Sequence, residues 1–452
     1  MPTPGATDLT VVGGGLAGSE AAWQAAEAGL RVTLYEMRPA RPTEAHRGEG
    51  LAELVCSNSL KSDAPDTPAG ELKAELRGLG SLILRAADAA RVPAGKALAV
   101  DREVFSRSVT EAIQSHPRIR LVREEITGLP PAPAVIATGP LTAPALAEAI
   151  RAATGERGLY FYDAISPIVA ADSVNLEVAF RASRYDAGDD PEGDYLNCPL
   201  DAEQYAGFIR DLLAARTVEA AAFEEPAIYF EGCMPIEVMA ARGPETLAHG
   251  PMKPVGLTDP RTGRMPHAVV QLRQEDLARS YYNLVGFQTK LAWPEQERVL
   301  RTIPGLENAE FFRFGAIHRN TYVHSPTCLE PGLMLKGHPG IWLAGQITGV
   351  EGYLESTAMG LLAGLNAARW VQGIDSPLQV PEGTAIGALA RYLTQGAERF
   401  QPMNINFGLF PPPAARVRSR AQRREAAIQR AREDFLAWRA GGMEWSGTQQ
   451  QA

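Results

Sequence analysis

A short apolar strand that runs straight into a glycine cluster leaves a chain few options. Here Leu9-Thr10-Val11-Val12 leads into Gly13-Gly14-Gly15-Leu16-Ala17-Gly18. An Ala-rich helical stretch then runs to Gly29, and a second strand, Arg31-Val32-Thr33-Leu34-Tyr35, ends at Glu36. Gly13-x-Gly15-x-x-Gly18, with its acid at the end of the next strand, is the opening of a dinucleotide-binding fold. Gly13 permits the tight turn, Gly15 lets backbone approach a pyrophosphate, and Gly18 lets helix and strand pack closely. Gly14, Leu16 and Ala17 complete the turn, and the helix start offers N–H groups and positive potential to phosphates. The Glu36 carboxylate suits two ribose hydroxyls and repels a 2′-phosphate.

Two later strands suggest which dinucleotide. Ala134-Val135-Ile136-Ala137-Thr138 ends at Gly139, and Ile341-Trp342-Leu343-Ala344 ends at Gly345, with Gly349 and Gly352 beyond it. Both resemble the further signatures of FAD-containing flavoproteins with two dinucleotide folds. Those proteins usually follow the late glycine with an Asp for the ribityl chain, and here Gln346 stands there. The helix after Gly349 would aim its positive N-terminus at the flavin ring, with Tyr353 stacked nearby; a plain core tyrosine is the other reading of Tyr353. The expected class is α/β. A doubly wound, Rossmann-like FAD domain is assembled from residues 1–165 and 325–452, and a smaller α/β insertion domain spans 166–324. The glycine-, proline- and charge-rich stretch to about residue 68 reads as loop, and helical patterns cover 70–87 and 101–116.

Composition narrows the setting. With 452 residues, 45% hydrophobic and 21% charged, the chain can bury a large multidomain core. No stretch approaches the ~20 apolar residues of a membrane helix, and no Lys or Arg precedes Arg31, which argues against a signal peptide. The four cysteines, Cys56, Cys198, Cys233 and Cys328, are too scattered for a disulfide framework or a zinc site. The expectation is a cytoplasmic protein without metal, membrane or obligatory protein partner. Cys198 and Cys328 read as buried small hydrophobes. Cys56 in a polar loop near Lys61, and Cys233 between a glycine and a proline turn, sit in contexts that permit a reactive thiol. The net charge, 44 basic against 53 acidic residues or −9, argues weakly against nucleic acid. Against that average, residues 416–432 hold seven arginines and one acid. Val417, Ala421, Ile428, Ala431, Phe435 and Trp438 recur there at helical spacing, so one face packs while arginines line others. A solvated helix surface and an RNA-facing patch both fit.

Several long stretches carry a resemblance. They are VVGGGLAGSEAAWQAA at 11–26, CSNSLKS at 56–62 and FEGCMPIEVMAARGPETLAHGPMKPVGL at 230–257. GFQTKL at 286–291, PGLENAEFFRFGAIHRNTY at 304–322, GQITGVEGYLEST at 345–357 and NFGLFPP at 406–412 continue it. The chain resembles the FAD- and folate-dependent tRNA (uracil-5-)-methyltransferases of bacteria along its whole length. The related tRNA flavoproteins that act on wobble uridine share the opening but are considerably longer.

The resemblance implies methylation without S-adenosylmethionine. The one-carbon unit comes from 5,10-methylenetetrahydrofolate and goes to C5 of uridine 54 in the tRNA T loop, with reduced FAD, regenerated by NADH or NADPH, as reductant. Uracil C5 is a poor nucleophile until something adds at C6, and a second group must then take the C5 proton. By motif, Cys233 is the nucleophile and Cys56 the base or its partner; the reverse assignment stays open, as does passage of the carbon by way of the flavin. His318 is a candidate for the pterin ring or a structural histidine. Arg319 and Lys290 suit folate carboxylates or RNA phosphates, or simply face solvent. Arg416, Arg420 and Arg423 become phosphate contacts, and a splayed uridine would enter a pocket. Two rivals remain: a flavin oxidoreductase acting on another tRNA base or a small molecule, and a non-catalytic flavin-binding RNA protein.

Overall fold

The apolar run Leu9–Val12 pairs in parallel with Val32–Tyr35 on one side and Ala134–Ile136 on the other. Ile119–Val122 and Ile341–Leu343 extend the sheet at its two edges. Strands covered on both faces read as continuous apolar runs, and the three central ones are buried almost throughout. The computed structural model describes residues 7–43, 45–155, 159–184, 193–218, 234–395, 400–412 and 419–441.

Glycines bind the last third of the chain to the first. The helix Tyr353–Val371 lies on the helix Leu16–Glu27, and a Cβ at Gly360 or Gly364 would stand 2.2 Å from the Ala17 carbonyl oxygen or 2.5 Å from that of Ala21. Only glycine allows that approach. One continuous apolar core spans these elements.

A second core lies under a six-stranded antiparallel sheet. Its order is Phe180–Ala182, Tyr195–Leu200, Ala268–Gln274, Tyr281–Leu284, Ile168–Ala170 and Phe311–Arg313. The helices Ala202–Leu213 and Trp293–Leu300 belong to the same part of the chain. The chain enters this part through Leu159–Ala164 and leaves through Ile317–Tyr322, and those two strands pair antiparallel.

Local signals were read unevenly. The helical pattern of 70–87 is two helices, Pro68–Gly78 and Leu82–Ala89. Gly80 takes φ +72° between them, and the Ser81 hydroxyl caps the second by accepting from Leu84 N–H at 3.2 Å. The stretch read as loop to residue 68 contains a strand, Ser59–Ser62, which joins Ala97–Val100 and Arg91–Val92 in a small antiparallel sheet.

The helix Arg420–Ala440 packs on Pro68–Gly78, with Phe435 against Gly78 and Arg432 paired to Glu71 at 3.0 Å. Its buried residues are Ala427, Ile428, Ala431 and Phe435, whereas Ala421 is exposed. The packing face therefore starts later than the apolar spacing suggests, and the first two turns stand clear. Among the described residues no helix is long and apolar enough to cross a membrane.

Candidate functional site

The glycine turn divides its labour as the spacing predicts. Gly13 has φ +99°, and a Cβ there would lie 2.6 Å from the Ala137 carbonyl oxygen. A Cβ at Gly18 would lie 1.8 Å from the Gly13 carbonyl oxygen, so helix and turn touch. Gly15 differs: a Cβ there would meet nothing within 4 Å, because the residue borders a cavity of about 1020 Å³. Gly15 also caps the helix Leu16–Glu27 without any side-chain hydrogen bond. The first helical N–H groups are thus left for a ligand.

Glu36, in the same wall, is held before any ribose arrives. Its carboxylate accepts from Gly14 N–H at 2.8 Å, Arg38 N–H at 2.9 Å and Arg38 Nε at 3.1 Å. Burial opposes its charge, but the Arg38 guanidinium and those donors outweigh it and hold the carboxyl below the usual carboxylate range. Burial and the Arg38 charge push the neighbouring His46 down to about 4, so it lines the cavity as a neutral ring. Leu16, Ala17, Gly139, Gln346 and Tyr353 complete this lining among others. Gly345, at φ +78°, abuts Ala17, and Gly349, at φ +86°, packs on Phe400; both lie outside the lining. Gln346 donates to the Glu351 carboxylate at 2.6 Å. An open glycine backbone, an uncapped helix start and a preset acid fit a dinucleotide such as FAD.

A second cavity, about 1280 Å³, shares Val55, Pro140, Leu141, Gln346 and Tyr353 with the first. Cys56 lines it, half-buried. The Tyr353 hydroxyl oxygen accepts from Cys56 N–H at 2.9 Å and Ser57 N–H at 3.3 Å. Arg102 donates to the Cys56 carbonyl at 3.2 Å, and Arg273 to the Ser57 hydroxyl at 2.8 Å. The side chain of Cys56 interacts electrostatically with Arg102, Arg273 and Arg313. Burial, then Cys56, pushes the Tyr353 hydroxyl above its ordinary range, so it stays protonated. Lys61 takes φ +62° and pairs with the fully buried Glu355 at 2.6 Å, pinning the Cys56 loop to the start of the long helix.

The other expected residues distribute as follows. Cys233 and Arg416 lie outside the described residues, as do the side chains of His318 and Arg319. Three residues beyond Cys233, Ile236 N–H donates to the Gln288 carbonyl at 2.7 Å, and Gln288 lines the Cys56 cavity. Lys290 is half-buried outside that lining, with its backbone N–H donating to Glu237 at 2.9 Å. Cys198 is fully buried, and that burial pushes its thiol up to about 12. Cys328 is buried too. Arg420, Arg423 and Arg424 are exposed and line an open groove of about 940 Å³ with Phe407, Phe410 and Pro412, the Arg424 guanidinium lying 5.0 Å from the Phe407 ring centre. Asn404, three residues before Phe407, lines the Cys56 cavity, so groove and cavity are separated by at most about 11 Å of chain.

Sequence reasoning missed Arg273, Asn283, Gln288, Asn320 and Asn404 as wall residues. One signal was available: Arg273 is the one charged residue of the fully buried strand Ala268–Gln274, and a charge inside a buried run needs a partner or a ligand.

The sequence profile of the family described as Glucose inhibited division protein A matches residues 8–375. A protein of Geobacter sulfurreducens described as methylenetetrahydrofolate--tRNA-(uracil-5-)-methyltransferase TrmFO is 58% identical over 96% of this chain and 99% of its own. A protein of the same description from Heliobacterium modesticaldum is 58% identical over 94% and 97%, and one from Moorella thermoacetica 56% over 97% and 99%. Among solved structures, Aquifex aeolicus GidA in its form II crystal superposes with a TM-score of 0.69 at 19% identity, covering 97% of this chain and 75% of that one.

Proposed function

As a member of the methylenetetrahydrofolate–tRNA-(uracil-5-)-methyltransferase family, the chain methylates a tRNA uridine with folate as the carbon donor, and we infer that its target is C5 of uridine 54 in the T loop. One observation carries the site reading: the half-buried Cys56 stands in a cavity that shares Tyr353 and Gln346 with the dinucleotide cavity. A substrate bound beside Cys56 therefore meets the reacting end of the cofactor. When bound, reduced FAD, regenerated by NAD(P)H, supplies the hydride that completes the methyl group. We take residues 1–165 and 325–452 as its binding domain and 166–324 as the insertion that covers it.

The protein's own part is acid–base and nucleophilic. A thiolate adds to uracil C6, and the C5=C6 electron pair moves onto O4 as an enolate. The enolate returns its electrons through C5 to the folate methylene carbon as that carbon's bond to N10 breaks and N10 takes up a proton. A base then takes the C5 proton, folate N5 leaves the methylene with its electron pair and takes up a proton, and the C6–S bond breaks as the exocyclic methylene so formed accepts the hydride. Cys233 is the nucleophile in this scheme and Cys56 the base or its partner; the link from Ile236 to Gln288 supports the first role. Gly13 to Gly18 and Glu36 hold the dinucleotide, Tyr353 fixes the Cys56 loop, and His318, Arg319 and Lys290 serve the folate. Arg416, Arg420 and Arg423 meet tRNA phosphates, a role favoured by the groove's short chain separation from the cavity. A tRNA substrate makes the cytoplasm the site of action.

The deciding experiment is label transfer from isotopic methylenetetrahydrofolate to an unmodified tRNA transcript, with FAD and NAD(P)H present and nucleosides read by mass spectrometry. Labelled 5-methyluridine at position 54 is expected. Cys56→Ala should keep its FAD and lose at least about a hundredfold in rate, the usual scale for a positioned acid or base. Arg423→Glu should raise KM for tRNA most at low salt and make it less salt-dependent. Turnover of NAD(P)H with unlabelled RNA would refute the assignment.

A further inference from the structure

Buried side-chain amides in this protein are satisfied almost everywhere. Asn58 Nδ2 donates to the Val100 and Gln274 carbonyls at 3.0 and 2.9 Å. Asn197 donates to the Phe180 carbonyl and Asn366 to that of Gly332. Among the described residues two amide nitrogens break the rule, Nδ2 of Asn283 and Nδ2 of Asn320, each buried with no hydrogen-bond partner. Both residues are 2% exposed, and both line the Cys56 cavity. They come from different strands, Tyr281–Leu284 and Ile317–Tyr322. Neither lines the dinucleotide cavity.

An unpaired buried donor is a standing penalty, and two on residues that line one cavity ask for a ligand whose entry uncovers them and supplies two acceptors. We propose that Asn283 and Asn320 donate to the two carbonyl oxygens, O2 and O4, of the uracil that reacts beside Cys56. The inference rests on the methyltransferase reading above and adds what selects the base. Uracil carries carbonyl oxygens at both positions. A pterin has one ring carbonyl and would have to use a ring nitrogen as its second acceptor, and cytosine presents an amino group at C4 that would meet a second donor head-on. The carbonyls lie on the ring edge away from C5=C6, so holding them leaves C5 and C6 free to react. The O4 donor also faces the oxygen on which charge collects when a nucleophile adds at C6. Asn283 and Asn320 are thus recognition residues whose hydrogen bonds strengthen as the reaction starts.

The test uses Asn283→Leu and Asn320→Leu in the FAD-loaded enzyme. Leucine keeps the shape and removes a donor that has no partner in the free protein, so Tm should be unchanged or higher. FAD content and KM for folate should be unchanged, and kcat/KM for tRNA should fall at least about tenfold per variant. Binding is measured in parallel with transcripts carrying uridine or cytidine at the target position. Wild type should prefer uridine by about tenfold or more, and each variant should lose most of that preference. Four results overturn the inference: loss of FAD, a rise in KM for folate with tRNA kinetics unchanged, wild-type behaviour in both variants, or equal wild-type affinity for the two transcripts. If wild type fails to methylate any transcript, the reaction above is refuted, and the uridine–cytidine comparison still decides this proposal.

Discussion

The two cavities that meet at Tyr353 are built in opposite ways. The dinucleotide cavity is lined from segments near residues 13, 36, 46, 125, 140, 346 and 353. The groups that mark it, the turn from Gly13 to Ala17 with Glu36 just past the following strand, nonetheless lie within one stretch, and the polar groups of that stretch are partnered or faced to the opening. The Cys56 cavity draws on segments near residues 56, 165, 273, 283, 320, 351 and 404. It keeps two amide donors unsatisfied. The first site holds the same cofactor in every turnover, and its orphan among the described residues, Oε1 of Glu125, is an acceptor rather than a donor. The second must admit and release its ligands, and its incomplete hydrogen bonding is what a ligand completes.

The largest test of that contrast lies within the glycine turn. Gly18→Ala would drive a Cβ to 1.8 Å from the Gly13 carbonyl oxygen, and backbone must move. We expect a fall of several kcal/mol in stability, as for severe overpacking, seen as poor folded yield and a lowered Tm. Gly15→Ala meets no protein atom within 4 Å, so the apo protein should melt like wild type. The cofactor's phosphates would feel that methyl group instead, weakening FAD binding by about ten- to a hundredfold by the same overpacking scale. Equal effects of the two substitutions on the apo Tm would break the division of labour assigned to the turn.

A smaller effect tests the junction. Tyr353→Phe keeps the ring between the cavities and removes the oxygen that accepts from Cys56 N–H and Ser57 N–H. Losing an acceptor for buried donors costs about 1–3 kcal/mol, here spent on the order of one loop. FAD content should hold while kcat for methyl transfer drops about tenfold or more. Loss of FAD with kcat intact in the residual holoenzyme would assign Tyr353 to the cofactor alone.

The same contrast explains what the sequence disclosed. Gly13, Gly15, Gly18 and Glu36 were legible because their jobs are local: spacing along one strand–turn–helix fixes them. Four of the five parallel strands were legible as short, mostly apolar runs, whereas Ile119–Val122, interrupted by Arg120, was not. The strand Ser59–Ser62 was not, because its polar residues pair with Ala97–Val100, far along the chain. Asn283 and Asn320 had no local signal at all. Their meaning lies in partners they lack, and that requires three dimensions. The arginine helix falls between: its amphipathic face was readable, but only the fold shows packing beginning at Ala427 and leaving Arg420 and Arg423 exposed.

The smallest effect concerns the frame of the dinucleotide half. Glu75, fully buried, accepts from Ala385 N–H at 2.6 Å and Ile386 N–H at 2.9 Å, closing the start of the helix Ala385–Gln395. Burial pushes its carboxyl up to about 8 from 4.5, against the pull of those two donors. A folded-state value above the unfolded one means the fold holds a proton that the unfolded chain releases. The contribution to stability is then full below about pH 4.5 and is lost as pH rises through about 8. Lys73 on the same helix acts in another window, because burial lowers it from 10.5 to about 8. Its term is full above about pH 10.5 and is lost as pH falls through about 8. Glu75→Gln imitates the protonated acid at every pH. Its Tm should match wild type near pH 5 and exceed it by a few degrees near pH 8, in scans of the two proteins side by side. Parallel profiles across that range would mean that the carboxyl ionises normally in the fold and that its two backbone donors, rather than burial, set its charge.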